Sequence, residues 1–295
     1  MSLIPYDDRD GWIWLDGKFT PWREAKVHVL THGLHYASSV FEGERMYGGE
    51  VFKLREHTER LFHSARILDF EIPFTVAEIE EATVASCVKN GLTDCYIRPV
   101  AWRGSEIMGV SAQASRIHVA IAVWQWPSYF NPEEKRRGIE LTWAKYKRPS
   151  PETAPTASKA AGLYMICTLS KHAAEREGFA DAMMVDYRGY VAEATGANVF
   201  FVQDGALVTP IADCFLDGIT RRSVMALAKT KGVEVIERHI RPEELAGFSE
   251  CFIVGTAAEV TPVSRVGEHR FTPGAVSLSL MDDFARLVRR ELQPA

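Results

Sequence analysis

Two domains of mixed α and β structure are what this sequence predicts, and three observations carry the prediction. The chain has 295 residues, enough for two ordinary domains, each with its own core. The stretch from Pro127 to Gly138 combines two prolines with the charge run Glu133-Glu134-Lys135-Arg136-Arg137, the composition of a linker crossing exposed surface. The pattern also changes there, from hairpin signals before it to interleaved strands and helices after it. The expected division is residues 1–127 as a small α+β domain, 128–138 as linker, and 139–295 as a larger domain.

In the first part, Trp12 to Leu15 and Lys18 to Thr20 flank Asp16-Gly17, a type I′ hairpin signal, and Gly48-Gly49 precedes the strand-like Val51 to Leu54. Between them, His32 to Arg45 is too dense in aromatics, histidines and glycines for a plain alternating strand and reads as a pocket wall. Helical spacing from Leu54 to Leu68, and a Thr75–Glu78 capping box before Ile79, Val84 and Val88, predict two helices against the sheet. Tyr96 to Val100 and Ile117 to Trp126 read as strands.

In the second part, strands are expected at 139–145, 182–186, 198–203, 206–209, 233–237 and 251–254. Helices are expected near Lys159, from Gly218 to Gly232, and around 278–292. No internal repeat or low-complexity tract interrupts them.

Composition narrows the partners. With 46% hydrophobic and 25% charged residues the chain is globular, and 34 basic against 39 acidic residues, with no basic block, speak against nucleic acid. The amino terminus lacks the plan of a signal peptide and no apolar run is long enough to span a bilayer, so a soluble cytoplasmic protein without membrane contact is expected. Five cysteines, at 87, 95, 167, 214 and 251, form no C-x-x-C pair; neither a metal site nor a disulfide is expected.

The chemistry centres on Lys159, which sits among small residues with Tyr164 five positions on. Small neighbours let a bulky partner approach the amine, as a Schiff-base lysine needs, although a lone lysine is more often a surface residue. Glu193 to Asn198 lies in a predicted turn between strands; Gly218-Ile219-Thr220 opens a helix with free backbone N–H groups suited to an anion; and Gly255 to Pro262 follows a strand with a small-residue turn. A reactive lysine, a carboxylate, an anion site and an arginine such as Arg60 are together the equipment for holding pyridoxal 5′-phosphate.

These stretches, with His35-Tyr36 through Phe41-Glu42-Gly43, Arg55-Glu56-His57 through Arg60-Leu61 and Tyr96-Ile97-Arg98-Pro99, resemble the branched-chain amino acid aminotransferases of the fold-type IV pyridoxal-phosphate enzymes over nearly the whole chain. The resemblance implies an α/β (α+β), two-domain, D-amino-acid-aminotransferase-like fold with the cofactor in the interdomain cleft. It implies that Lys159 forms the Schiff base and shuttles a proton, and that Glu193 holds the pyridine nitrogen protonated. Tyr164 would meet the phenolic oxygen; Arg60, the Ile219 N–H, Thr220 and Thr256 would hold the phosphate, with Gly196, Asn198 and Gly218 around the ring.

By the same resemblance the substrate candidates are Tyr36, Phe41, Gly43, Arg45, Tyr96, Arg98, Trp126, Tyr129, Thr256, Ala257 and Ala258. Phe41, Trp126 and Tyr164 would box a branched side chain, and Arg98 would meet the γ-carboxylate of glutamate, hydrogen-bonded to a neighbour such as Tyr36 when leucine binds. Glu44 stands where some relatives carry an apolar residue and bears on fine preference. The implied reaction moves the amino group of leucine, isoleucine or valine to 2-oxoglutarate in a homodimer or larger homo-oligomer, the loop from Arg103 to Val110 matching a mobile interdomain or partner-subunit loop. D-amino-acid and (R)-amine transaminases and aminodeoxychorismate lyase share Lys159 and Glu193, so Arg98 is the discriminating residue within the fold; a non-catalytic cofactor-binding protein is the rival outside it.

Overall fold

The hairpin residues that organise the first sheet adopt the backbone their types favour. The computed structural model describes residues 4–126 and 132–292, which leaves Tyr129 and the first half of the expected linker outside it. Two compact units result: the first runs to residue 127 and takes in 158–162, and the second comprises the rest.

In the first unit, β1 (Trp12–Leu15) and β2 (Lys18–Pro21) turn at Asp16-Gly17, whose φ values of 49° and 91° are those of a type I′ turn. The unit continues through α1 (His32–Tyr36), β3 (Ser39–Phe41), β4 (Glu44–Tyr47), β5 (Glu50–Val51), α2 (Leu54–Ile67), α3 (Val76–Lys89), β6 (Cys95–Arg103) and β7 (Ile117–Trp124). The strands form one antiparallel sheet in the order β2-β1-β7-β6-β4-β5, with β3 also on β6. The Thr75–Glu78 capping box is present in both directions at the start of α3.

Helices α2 and α3 cover one face of this sheet, and Leu61, Ile79, Ile97 and Ile121 lie between the layers with at most 1% of their surface exposed. Each such side chain contributes about 1.5–3 kcal/mol, more than local propensity could supply, so packing holds α2 in place. The opposite face of β6 carries Arg98, Val100 and Trp102 and lines an apolar recess of about 350 Å³ with Val27 and Leu34.

Pro99 interrupts the ladder on one side of β6. It has no N–H to give, β3 ends at Phe41 opposite Val100, and β4 resumes at Glu44 opposite Ile97. Glu42 and Gly43 fill the gap, with the Glu42 N–H donating to Pro99 O at 2.8 Å.

The second unit contains α4 (Pro132–Arg137), β8 (Ile139–Trp143), α5 (Met165–Arg176), β9 (Asp181–Val185), β10 (Val191–Ala194), β11 (Asn198–Gln203), β12 (Ala206–Thr209), α6 (Ile219–Thr230), β13 (Val235–Glu237), β14 (Glu250–Gly255), β15 (Glu259–Val266), β16 (His269–Arg270) and α7 (Ala275–Val288). Its mixed sheet runs β10-β9-β8-β15-β14-β11-β12-β13, and the additional pairing of β10 with β11 joins six strands into a ring. Leu141, Met183, Val199, Phe201, Ile253 and Val263, each from a ring strand, share one buried cluster. Helix α5 packs on β8 and β9, α6 on β13 and β14, and α7 on β14 and β15.

Several segments differ from the sequence reading. Residues 132–137, expected as linker, are helical, with Lys135 on Glu259 at 3.0 Å and Arg136 on Asp282 at 2.7 Å. Lys159 does not open a helix: α5 begins at Met165, because the peptide groups around Lys159 are bonded to distant partners instead. The turn after Gly255 is followed by the eight-residue strand β15, whose turn-like opening in the sequence concealed it.

Candidate active site

The first unit mounts Lys159 by its main chain. Ala160 bridges Val40, the Phe41 N–H donates to Lys159 O at 3.2 Å, and the Lys159 N–H donates to Ser64 Oγ on α2 at 2.9 Å. The side chain is thereby left to project, and Nζ lies 5.1 Å from the centre of the Phe41 ring.

Glu42 follows on the same strand end and has no exposed surface. It accepts from Arg60 Nε at 2.7 Å and Nη2 at 2.8 Å, and lies 2.7 Å from His57 Nδ1. Burial alone would push this carboxyl up, but the Arg60 guanidinium and the hydrogen bonds from Arg60 and His57 outweigh it and hold Glu42 well below the usual carboxylate range. Burial lowers His57 despite Glu42, so the trio is one ion pair plus a neutral imidazole. His57, Arg60 and Ser64 recur at three and four residues, one face of α2.

Glu44 is 1% exposed, and strand alternation turns it to the helix-covered face with Met46 while Arg45 and Tyr47 take the other. Burial, and then the charge of Glu42, push its carboxyl well above its ordinary value, and Oε2 has no hydrogen-bond partner. Burial thus favours the protonated form of Glu44, which lies in the core on the face away from the substrate candidates Arg45 and Tyr96.

Those candidates form a connected group within this unit. Arg98 Nη2 donates to Tyr96 Oη at 2.9 Å and the guanidinium stands 4.7 Å from the Phe41 ring centre; Trp126 stacks on Tyr96 at 4.6 Å. A side chain at Gly43 would place its Cβ 2.2 Å from Tyr96 Oη, so glycine there is what admits the tyrosine. Among the described residues no carboxylate pairs with Arg98, and its buried Nε has no partner. Its hydroxyl partner is Tyr96 rather than Tyr36, which is half exposed and stacks on His32 instead.

In the second unit Glu193 is on β10, not in a turn, and faces Asn198 across the pairing that closes the ring. Asn198 Nδ2 donates to Glu193 Oε2 at 3.2 Å and to Leu216 O at 3.0 Å, tying the carboxylate to the segment that enters α6. Gly218 is the N-cap of α6 and makes no side-chain cap, so the first N–H groups of a 12-residue helix are left for an anion. A Cβ at Gly218 would lie 2.2 Å from Asn198 Oδ1, and one at Gly196 would meet nothing within 4 Å. Thr256 and Ala258 are half buried and Ala257 is exposed in the turn between β14 and β15. Tyr164 is half buried at the last residue of a 3-10 turn before α5.

Four residues at these places were given no role in the sequence reading, although Glu42 and His57 fall within the stretches that carry the resemblance. Glu42, His57 and Ser64 act through partners in other elements. Arg148 is 4% exposed and places Nε 3.3 Å from Glu193 Oε1, an ion pair outside hydrogen-bond geometry; burial would lower it, but Glu193 holds it above its ordinary value. Only buried charge could have found it, and burial is not local. The metal-ligand types Asp186, Asp213 and Cys214 also lie together, but Arg188 already spans the two carboxylates at 2.6 and 2.8 Å. No helix among the described residues is long and apolar enough to cross a membrane.

The first unit holds an arginine by a buried carboxylate and a lysine by its main chain, and the second ties a carboxylate to an open helix start; each is a feature of aminotransferase type. The family described as Amino-transferase class IV matches residues 39–266, and the chain belongs to that family, with the fold-type IV architecture. It is 42% identical over 271 residues to a branched-chain-amino-acid aminotransferase of Pseudomonas aeruginosa, covering 90% of this chain and 88% of that one, and 41% identical over 273 residues to that of Escherichia coli K12, covering 89% and 88%. Among solved structures it is similar to the branched-chain aminotransferase of the thermophilic archaeon Thermoproteus uzoniensis with norvaline, at a TM-score of 0.92, 33% identity and 97% coverage of each chain.

Proposed function

We propose that this aminotransferase transfers the amino group of leucine, isoleucine or valine to 2-oxoglutarate, using pyridoxal 5′-phosphate. One observation carries the cofactor assignment: Asn198 fixes the Glu193 carboxylate relative to the uncapped start of α6. A ring nitrogen and a phosphate at opposite ends of one molecule need such a pair of partners. The residues present fit the group. Lys159 would meet its carbonyl carbon, Glu193 its ring nitrogen and Tyr164 its phenolic oxygen, while Arg60, Thr220, Thr256 and the Ile219 N–H would hold its phosphate, with Gly196, Asn198 and Gly218 around the ring. When bound, it supplies an electron-accepting ring conjugated to the reacting carbon.

The lysine amine takes the proton from the substrate Cα, its main chain being held on both sides so that the amine starts from a fixed root. Glu193, which lies beside Arg148, would favour a protonated ring nitrogen. For the substrate, Phe41, Gly43, Tyr96 and Trp126 offer apolar surface, and Arg98 without a carboxylate is available to the second carboxylate of 2-oxoglutarate. Tyr36, Arg45, Tyr129, Ala257 and Ala258 complete the proposed substrate side. Branched-chain substrates are supported by the names of the relatives and by this pairing of apolar wall and unspent cation.

A homodimer or larger homo-oligomer is part of the proposal. Val27, Val29, Leu30, Leu34, Met108 and Val110 are exposed in two segments of the first unit, and Val27 and Leu34 among them line the recess described above, apolar surface of the kind that marks an interaction site. The test is a half-reaction screen of L- and D-amino acids against the purified holoenzyme. Rapid loss of the cofactor's absorption band with L-leucine and L-glutamate, and none with D-amino acids, is expected; the reverse preference, or no response to either, overturns the reading.

A further inference from the structure

We infer that Ser64 is the positioning residue for Lys159, and that α2 thereby sets the spacing between the lysine and Arg60. The inference rests on the proposed cofactor reading. Ser64 is fully buried. Its Oγ accepts the Lys159 N–H at 2.9 Å and its carbonyl oxygen accepts the Ser158 hydroxyl at 3.0 Å, from residues 95 and 94 positions away in the chain. Ser64 therefore accepts two hydrogen bonds, one from the N–H of the Ser158–Lys159 peptide and one from the Ser158 side chain, and so clips the segment at Lys159 onto α2.

Arg60 lies four residues earlier on the same helix, about 6 Å along its axis at 1.5 Å per residue. Its guanidinium is fixed by Glu42, two residues beyond the strand position that bonds Ala160. The lysine's root and the arginine thus hang on one rigid element, and their separation does not depend on a flexible loop.

The lysine stem has four methylene groups, so the position of Nζ is only as well defined as the Cα that carries it. Condensation of the Lys159 amine with an aldehyde forms a C=N bond and releases the aldehyde oxygen as water. A wandering root lowers the fraction of amine in reach of the carbon and so weakens this bond's formation. Noncovalent holding of the phosphate does not involve the root at all.

Two probes separate these contributions. Pyridoxal 5′-phosphate has the aldehyde; pyridoxamine 5′-phosphate shares its ring and phosphate but has an amine there and cannot condense with Lys159. Affinities of both are measured on apo-protein of wild type, Ser64→Ala and Ser64→Cys, with borohydride reduction and peptide mapping of the wild type. Removing the acceptor of one partly buried N–H should weaken pyridoxal 5′-phosphate about tenfold in Ser64→Ala and leave pyridoxamine 5′-phosphate unchanged. Ser64→Cys, a weaker acceptor of similar shape, should fall between. Equal losses for both probes would make Ser64 a packing residue of α2 and overturn the inference, as would no loss for either. A wild-type label on a lysine other than Lys159 would instead sink the cofactor reading beneath it.

Discussion

The two units handle charge in opposite ways. The first buries a carboxylate completely and answers it with side chains: Glu42 is bidentate to Arg60 and within hydrogen-bond reach of His57. The second sets Glu193, largely buried, beside Arg148 outside hydrogen-bond geometry and offers an anion the main-chain N–H groups at the start of α6. Side-chain ion pairs are strong but fail badly when one partner is lost, whereas a helix start has no single residue whose removal abolishes it.

The largest effect expected from this contrast is on stability in the first unit. Glu42→Ala leaves Arg60 buried without its counter-ion, and chemical denaturation should show a loss of about 3–5 kcal/mol. A loss below about 1 kcal/mol would mean that Arg60 finds another partner and that the contrast is overstated.

In the second unit the corresponding change should spare the fold and damage the chemistry. Glu193→Gln keeps the Asn198 contact but removes the charge, so cofactor should remain bound while turnover falls about 10²–10³-fold, as for loss of one preorganised electrostatic partner. Near wild-type turnover measured on fully loaded protein would remove Glu193 from that role.

Arg98 sharpens the comparison from within the first unit, as a cation with no carboxylate partner among the described residues. A charge-assisted hydrogen bond is worth roughly 1.5–3 kcal/mol, so Arg98→Leu should weaken glutamate and 2-oxoglutarate by about ten- to a hundredfold and leucine much less. Single-turnover kinetics of the two half-reactions decide; equal losses would make Arg98 part of the scaffold.

The effect that is smallest near pH 4.5 and grows with pH is the most diagnostic of sign. Glu42 is depressed in the folded state, so its contribution is present above the ordinary carboxylate value of 4.5 and fades as pH falls. Glu44 is raised, so its contribution is complete below 4.5 and is lost as pH rises toward its folded value. Glu44→Gln should therefore gain on wild type by about 1.4 kcal/mol per pH unit once pH exceeds 4.5, until Glu44 ionises in the folded protein too. A difference in unfolding free energy that stays constant from about pH 4 to 8 would show that Glu44 is not held neutral.

What is legible in the sequence is local. Asp16-Gly17 and Thr75–Glu78 announce their turn and cap because the residues that define them are neighbours, and strands 198–203 and 206–209 have the predicted bounds. Resemblance supplies the candidate list around Lys159, Glu193 and Arg98. Lys159 lies outside the helix its neighbours suggest for a reason that no window of sequence contains: its N–H is taken by a serine 95 residues earlier. Gly196 makes Glu193 look like a turn residue, yet its partners put it in a strand. Glu42, His57, Ser64 and Arg148 look like any polar residues until burial and pairing are known.

The pairing of Glu193 with Asn198 closes the ring of the second unit at its narrowest ladder. Breathing of the sheet should therefore begin at this seam, where little ladder must be broken, rather than at the broad β14–β15 pairing. A molecule that binds only the closed seam pulls the equilibrium by mass action, by about 2.7 kcal/mol at a hundred times its dissociation constant. On the proposed reading, cofactor occupancy would latch this ring, and apo-protein would be the form more open to proteolysis.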